Sequence, residues 1–545
     1  MYAPLVVATC LLLYLAYRFY GAFLVKRCKI DDGRPTPAET MEDGVDYVPT
    51  RTSVVFGHHF SSIAGSGPIV GPILAALYFG WGPAWVWIIV GSVFIGGVHD
   101  FGSMLMSVRN KGQSIATTSC NLVGPLTGRL FIIFVLFALI YVLVVFIDLT
   151  ANTFANRPSV ATASGWFVLA ALAFGFVVAR TRLTFAKAII LFVPITFLGL
   201  AVGHFMPAPS IDKNTWLAIV MVYAAIAAVM PVHLLLQPRD FLSSFFLYAV
   251  LISGIVGVLI GLPAIEAPAF NGWINESASP AYLIPALFIT IACGACSGFH
   301  SIVASGTTSK QIKTESDIRK VGYGGMLVEG LLATLSLGTI AVLSAADFDA
   351  MQARDPISIF ATGIGKILSP FGFQDALVYD FALLAVSTFL LTTLDTCTRL
   401  CRFLVEELFE WRSSTSRYLG TVLVLILPAF LVFQTYNGQP AWKATWPLFG
   451  STNQLLAALA LITFAVFLRT NKIKSSFVLV PAVAMLIMPL VALSFMAYES
   501  AQELGWMNVI SIASLIMLVL GIFVSYRSFG LFFRKDAEVP TPSGG

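Results

Sequence analysis

Four of the six histidines in this chain stand on polar segments that interrupt apolar stretches. The first segment, Val54 to Tyr78, reads VVFGHHFSSIAGSGPIVGPILAALY, with His58 and His59 ahead of Gly65-Ser66-Gly67-Pro68. Gly and Pro free backbone groups that hydrocarbon cannot satisfy, so such a break survives only when buried in protein or lining a cavity. Broken helices of this kind present backbone dipoles to ions and substrates. The second segment, Ala224 to Leu242, carries Pro231 and Pro238 among His233, Gln237, Arg239 and Asp240. Proline removes a donor and clashes with the preceding turn, which predicts a second discontinuity at Pro231. The third, Cys293 to Lys310, reads CGACSGFHSIVASGTTSK and places Ser297 and Ser301 one helical turn apart, with His300 between them. Hydroxyls at that spacing suit a coupling cation, and small residues equally suit close helix packing. Histidine titrates near neutral pH, so His58, His59 and His300 are candidates to carry a coupling proton. Asp148, Glu329, Asp380 and Asp395 are further buried carboxylates, and His99 adjoins Asp100.

The elements that position these groups follow from composition. The chain of 545 residues is 58% hydrophobic and 11% charged, with mean hydropathy +0.86; a soluble protein carries roughly 25% charged residues. This is an all-α polytopic membrane protein. Its net charge of +4 marks topology rather than a nucleic-acid partner. No nucleotide-binding motif is present. The seven cysteines make no disulfide framework; Cys293 and Cys296 read as packing residues, and Cys397 and Cys401 as a reduced pair. The first apolar helix lacks a basic leader and reads as retained.

Apolar runs of about 20 residues predict about fifteen helices, near 2–24, 54–79, 82–107, 129–152, 160–180, 185–205, 214–236, 240–262, 281–305, 323–345, 376–402, 418–434, 446–468, 476–497 and 508–529. Under strict alternation Lys26, Arg27, Lys29, Arg34, Arg51, Arg109, Lys111, Arg180, Arg182, Arg239, Lys310, Lys313, Arg319, Lys320, Arg412, Arg417, Lys472, Lys474, Arg534 and Lys535 fall on one side. The positive-inside rule makes that side cytoplasmic, with the N-terminus outside and the C-terminus inside. Short helices lying on the surface are expected within Gly112–Thr127 and Asp355–Leu368. The helix with Pro231 is the fifth after the first broken one, and an odd separation reverses direction, as an inverted repeat requires. The expected organisation is therefore residues 1–53 as an N-terminal helix and connector, 54–205 and 214–402 as two five-helix inverted repeats of LeuT type (APC superfamily-like), 403–535 as additional helices and 536–545 as a disordered tail.

Several of these segments resemble the carbon starvation protein A family: FGHHFSSIAGSGPIVGP, VHDF at Val98 to Phe101, PVHLLLQPRDF, ITIACGACSGFHSIVASGTTSK, TTLDTCTRL at Thr392 to Leu400 and WPLFGSTNQLLAALAL at Trp446 to Leu461. The match runs from the second helix to about the thirteenth. The resemblance implies a transporter of the bacterial or archaeal cytoplasmic membrane that takes up peptides or pyruvate during nutrient limitation, driven by a proton, with sodium as the alternative ion. It implies no enzyme activity and no bound cofactor; the partners are a small-molecule substrate and the lipid bilayer. On this reading the half-helix beginning at Pro68 aims the amides of Gly65, Ser66 and Gly67 at a substrate carboxylate. Pro231 and His233 form the opposing wall. Ser297 and Ser301 serve the cation, and His58 or His59 exchanges the proton. Met230-Pro231-Val232-His233 also resembles the MPH segment of Nramp-type carriers, which makes a transition-metal transporter the alternative. A membrane metalloenzyme is disfavoured, because His58 and His59 diverge by about 100° on a helix.

Overall fold

In the computed structural model the described residues are 1–533, without 45, 182, 231–234, 276–280, 345–346, 348–354, 412, 414, 437–438 and 507. Pro231 and His233 therefore lie outside the described residues, as do Arg182, Arg354, Arg412 and the tail. Helices dominate, and two short β-hairpins, Ile274–Asn275 with Ala281–Tyr282 and Thr435–Tyr436 with Gln439–Pro440, are the only sheet among the described residues. Eleven helices are long and apolar enough to cross a membrane, or up to twelve if a bent pair is one span.

The chain opens with α1 (Ala3–Arg27). The first broken span follows as α2 (Thr52–Ile63) and α3 (Gly67–Phe79), bent by 42°. Next come α4 (Trp81–Arg109), a short α5 (Ile115–Val123) and α6 (Pro125–Asn156). Proline at the first turn of α6 and at the start of the next helix fixes both its ends, since proline fits a first turn and turns its predecessor away from helix. A hairpin of α7 (Pro158–Arg180) and α8 (Phe185–Phe205) is followed by α9 (Lys213–Val229) and α10 (Leu236–Gly261). The side chain of Asp212 caps α9 by accepting from the Thr215 amide at 3.0 Å, which satisfies one of the orphan donors of a helix start.

The ninth apolar stretch, expected as one helix over 281–305, is instead two short helices, α11 (Leu283–Thr290) and α12 (Gly298–Gly306), with non-helical backbone between them. Beyond it lie α13 (Arg319–Ala341), α14 (Pro356–Leu368), α15 (Asp375–Leu408), α16 (Ser416–Leu431), α17 (Ala441–Thr470), α18 (Ser476–Leu504) and α19 (Val509–Phe533). Asp355 caps α14 through the amides of Ile357 and Ser358, each at 3.1 Å.

Packing brings the two broken spans together: α3 meets α11, and α12 meets α2. Many contacts come in matched pairs. Helix α5 lies on α6 as α14 lies on α15, and α9 packs on α6 as α16 packs on α15. Helix α10 touches α2, α13, α14 and α15, while α17 touches α12, α4, α5 and α6. The α7–α8 hairpin has no counterpart in this scheme and keeps much of its apolar surface outward, with Leu169, Phe176, Ile190 and Phe205 all exposed. In a membrane protein such a surface faces lipid.

Candidate functional site

The first break follows from its sequence. Helix α2 ends at Ile63, Ala64 leaves helical geometry, and Pro68 starts the next helix. The amide of Gly65 folds back onto the Ile63 carbonyl at 2.9 Å, so it is not one of the free donors expected there. The amides of Ser66 and Gly67 meet no acceptor among the described residues. The hydroxyls of Ser62 and Ser66 are fully buried and have no partner among the described residues. The N-terminus of α3 thus carries the unpaired amides of Ser66 and Gly67 and the Ser66 hydroxyl, where the helix dipole favours negative charge, and the Ser62 hydroxyl is unpaired at the end of α2.

Three neighbours approach this backbone closely. The Thr393 hydroxyl of α15 donates to the Ser62 carbonyl at 3.3 Å. A Cβ at Gly65 would sit 2.8 Å from that same hydroxyl and 3.2 Å from the Phe146 ring of α6. A side chain at Gly67 would collide with Cys293 of the second break.

That second break is held by residues the sequence reading did not single out. The side chain of Asn453, on α17, accepts the Phe299 amide at 2.8 Å and donates to Ser297 Oγ at 3.0 Å. Gln454 donates to the Phe288 carbonyl at 2.7 Å, and Trp87 of α4 donates to the Ile291 carbonyl at 3.1 Å. Backbone groups freed by the break are therefore satisfied by neighbouring spans, as burial at membrane depth requires. Ser297 belongs to this cap. Ser301 donates to the Gly298 carbonyl at 2.6 Å, within its own helix. Neither is hydrogen-bonded to the Ser62–Gly65 backbone; Thr393 occupies that role.

The two adjacent histidines separate as expected for one helix. His58 Nδ1 lies 2.8 Å from Asp240 Oδ2. Asp240 in turn binds Arg239, whose guanidinium reaches Asp240 Oδ1 at 2.8 Å, the Tyr223 hydroxyl at 2.7 Å and the carboxylate of Asp395. Arg239 and both carboxylates are fully buried. This cluster ties α2, α9, α10 and α15 together. Nearby, Arg399 of α15 donates to the carbonyls of Ala227 and Met230, which caps the last turn of α9, and no carboxylate pairs with it among the described residues. His59 turns to the other side, with Nδ1 3.0 Å from the Thr308 hydroxyl. His300 lies between Asp100, at 3.1 Å, and Glu329, at 3.4 Å.

Asp148 binds Lys213 at 2.9 Å and Asp380 accepts from Ser159 at 3.0 Å; both pairs are structural ties between helices. Among the described residues no group of three or more His, Cys, Asp and Glu side chains is placed to hold a metal ion. A cavity of about 570 Å³ opens between α5, α6, α12 and α15, with Lys310, Arg129, Thr117, Phe403 and Glu407 in its wall.

Comparisons with known proteins agree on the family. The model described as "Carbon starvation protein CstA" matches residues 2–355 and 350–492. The peptide transporter CstA of Bacillus subtilis is 32% identical, covering 95% of this chain and 95% of its own. The pyruvate/proton symporter BtsT of Escherichia coli is 29% identical, covering 92% of this chain and 82% of its own. Among solved structures, a manganese transporter of Eremococcus coleocola superposes with a TM-score of 0.55 at 12% identity, covering 90% of this chain and 97% of its own. At that identity the likeness shows a shared helical fold. A multi-pass membrane chain that matches the family model along most of its length, and full-length transporters at about 30% identity, belongs to the carbon starvation protein CstA family.

Proposed function

We propose that this protein is a secondary active transporter that imports pyruvate or short peptides across a bacterial or archaeal cytoplasmic membrane, coupled to a proton. The names of the relatives support the substrate class and the ion. The observation that carries the reading is the set of donors left unpaired at the break between α2 and α3 among the described residues: the amides of Ser66 and Gly67 and the hydroxyls of Ser62 and Ser66. Pyruvate and peptides share a carboxylate, and a helix N-terminus with free amides binds one without any cationic side chain. Arg399, with no carboxylate partner among the described residues, adds a positive charge on the side of the Arg239 cluster.

The matched packing supports an inverted repeat, with a membership different from 54–205 and 214–402. One unit would comprise α2/α3, α4, α6, α9 and α10, and the other α11/α12, α13, α15, α16 and α17, with α5 and α14 as equivalent short helices. The α7–α8 hairpin is then an insertion in the first unit. On this reading both broken spans and the shorter α9 and α16 also cross the membrane, for fifteen crossings in all, with the N-terminus out and the C-terminus in. The crossing of the two breaks is the substrate site, and the cavity by Lys310 is its cytoplasmic vestibule. A proton is favoured over sodium because a relative covering most of this chain is named a pyruvate/proton symporter.

Uptake into proteoliposomes tests this: labelled pyruvate, labelled glycylglycine and manganese are each offered under a pH gradient or a sodium gradient. Accumulation of pyruvate or glycylglycine on the pH gradient is the expected result, weakened several-fold by Ser66→Val. Accumulation of manganese alone would sink the proposal in favour of metal transport.

A further inference from the structure

Helices α4, α12 and α13 meet at a second buried ionic group, separate from the Arg239 cluster. His99 Nδ1 is 2.8 Å from Asp100 Oδ1, and His300 Nδ1 is 3.1 Å from Asp100 Oδ2. The other face of the same imidazole, His300 Nε2, is 3.4 Å from Glu329 Oε2. Asp100, His300 and Glu329 are fully buried. Among the described residues no Lys or Arg forms an ion pair with either carboxylate, and neither Glu329 oxygen accepts a hydrogen bond. The titratable groups around the pair are His99 and Asp100 on α4, His59 on α2, and Cys293 and Cys296 in the second break.

Valence bookkeeping on one imidazole makes the arrangement informative. A neutral His300 that donates from Nδ1 to Asp100 has a lone pair at Nε2. That lone pair lies 3.4 Å from a carboxylate oxygen, and no hydrogen bond joins the two atoms. The contact is attractive only if one more proton lies between the two atoms, either on Glu329 as an acid or on His300 as imidazolium. Without it, two acceptors lie close together in a site buried from bulk solvent, and an unpaired buried charge is costly. The proton therefore holds α12, half of a broken span, against α13.

We propose that the exchangeable proton of transport is bound between His300 Nε2 and Glu329 Oε2, with Asp100 and His99 fixing the tautomer and orientation of His300. The inference rests on the proton-coupled transport proposed above. The proton arrives from the outer aqueous phase, forms one O–H or N–H bond at this pair and leaves to the inner phase; no electron moves. Its departure loosens α12 from α13 and so links the charge state to the position of the second break. His58, already committed to Asp240, is assigned to the static cluster and not to coupling.

Glu329→Gln keeps a donor toward His300 Nε2 but carries no exchangeable charge. Accumulation of pyruvate and glycylglycine on a pH gradient should fall to the equilibrium level, while exchange at equal pH persists within a few-fold of the native rate. His300→Gln serves as the second variant and should behave alike. Gradient-driven accumulation in either folded variant, or loss of exchange along with accumulation in both, would overturn the assignment. Nitrogen NMR of the histidine-labelled protein gives a readout that needs no substrate: the titration step of the His300 ring should disappear in Glu329→Gln. If that step is unchanged, the pair does not share a proton. If the native protein moves neither substrate while the step behaves as expected, the transport reading fails and the proton site stands.

Discussion

Replacing Arg239 with methionine should be among the most destabilising single changes in this protein. The side chain is fully buried, and its guanidinium holds Asp240, Asp395 and the Tyr223 hydroxyl together. After replacement Asp240 keeps the His58 ring at 2.8 Å, whereas Asp395 keeps only the Tyr223 hydroxyl at 2.8 Å. Asp395 is thus left in the interior with no basic side chain beside it among the described residues. Breaking a buried pair in this way costs about 3–5 kcal/mol. The partner left uncompensated is identifiable, so a second substitution should relieve it. Asp395→Asn in the Arg239→Met background removes the orphan charge while preserving an acceptor for Tyr223, and should recover most of the loss. Asp240→Asn in that background should recover less, because it also strips His58 of its carboxylate. Unfolding of the purified protein in mixed micelles, followed through the ten tryptophans, gives the free energies. A cost below about 1 kcal/mol for Arg239→Met, the low end for an unsatisfied buried group, or equal recovery by the two asparagines, would refute the charge assignment.

Asn453→Ala should cost about 1–3 kcal/mol, since the Phe299 amide loses its acceptor in a buried site, and should depress uptake and exchange together; both are read in the same proteoliposomes. Gly67→Ala should abolish transport through collision with Cys293, and Cys293→Gly in the same protein should restore part of it. Asp355→Ala should destabilise α14 by about 1 kcal/mol through loss of its N-cap, visible as faster amide exchange over Ile357 to Ile359. Outside the membrane spans, hydrogen bonds from Lys366 and Ser344 hold the Asp347 carboxyl down to about 2. A depressed carboxyl stabilises at all pH values above its ordinary range and loses that contribution only as pH falls toward the lowered value. Carboxyl NMR should therefore show no titration of Asp347 between pH 5 and 8, and Lys366→Met should move its midpoint upward.

The first break was legible because Gly65-Ser66-Gly67-Pro68 removes helix propensity and a donor within four residues. The second was not, because CGACSG carries no proline and its small residues equally suit close packing within one continuous helix. The groups that make that break tolerable, Asn453, Gln454 and Trp87, lie far away in sequence, and a side-chain cap supplied from another span leaves no local pattern. The polar cluster Gln237-Pro238-Arg239-Asp240 suggested a helix end. It is instead the first turn of α10, where proline is tolerated and where Arg239 and Asp240 point inward to partners on other helices. The short helices expected within Gly112–Thr127 and Asp355–Leu368 are present, because each begins with a serine or aspartate cap that any reading of local sequence can find. Histidine placement was legible in type and not in partner: His58, His59 and His300 are all buried, but only the fold reveals that one pairs with Asp240 and another lies between two carboxylates.

The close approach between the two breaks also limits how the molecule can move. Gly67 packs on Cys293, a Cβ at Gly71 would meet the Thr290 carbonyl at 2.5 Å, and one at Gly294 would sit 3.4 Å from the Pro68 Cα. Backbones in contact at this range cannot slide past one another without first separating, since packed interiors are nearly incompressible. The start of α3 and the unwound stretch before α12 therefore share their degrees of freedom and travel as one piece. Flexure is left to α2 and α12, the two halves on the far sides of the breaks. A bound substrate at the junction would then be carried by a rigid saddle while two short levers open and close around it.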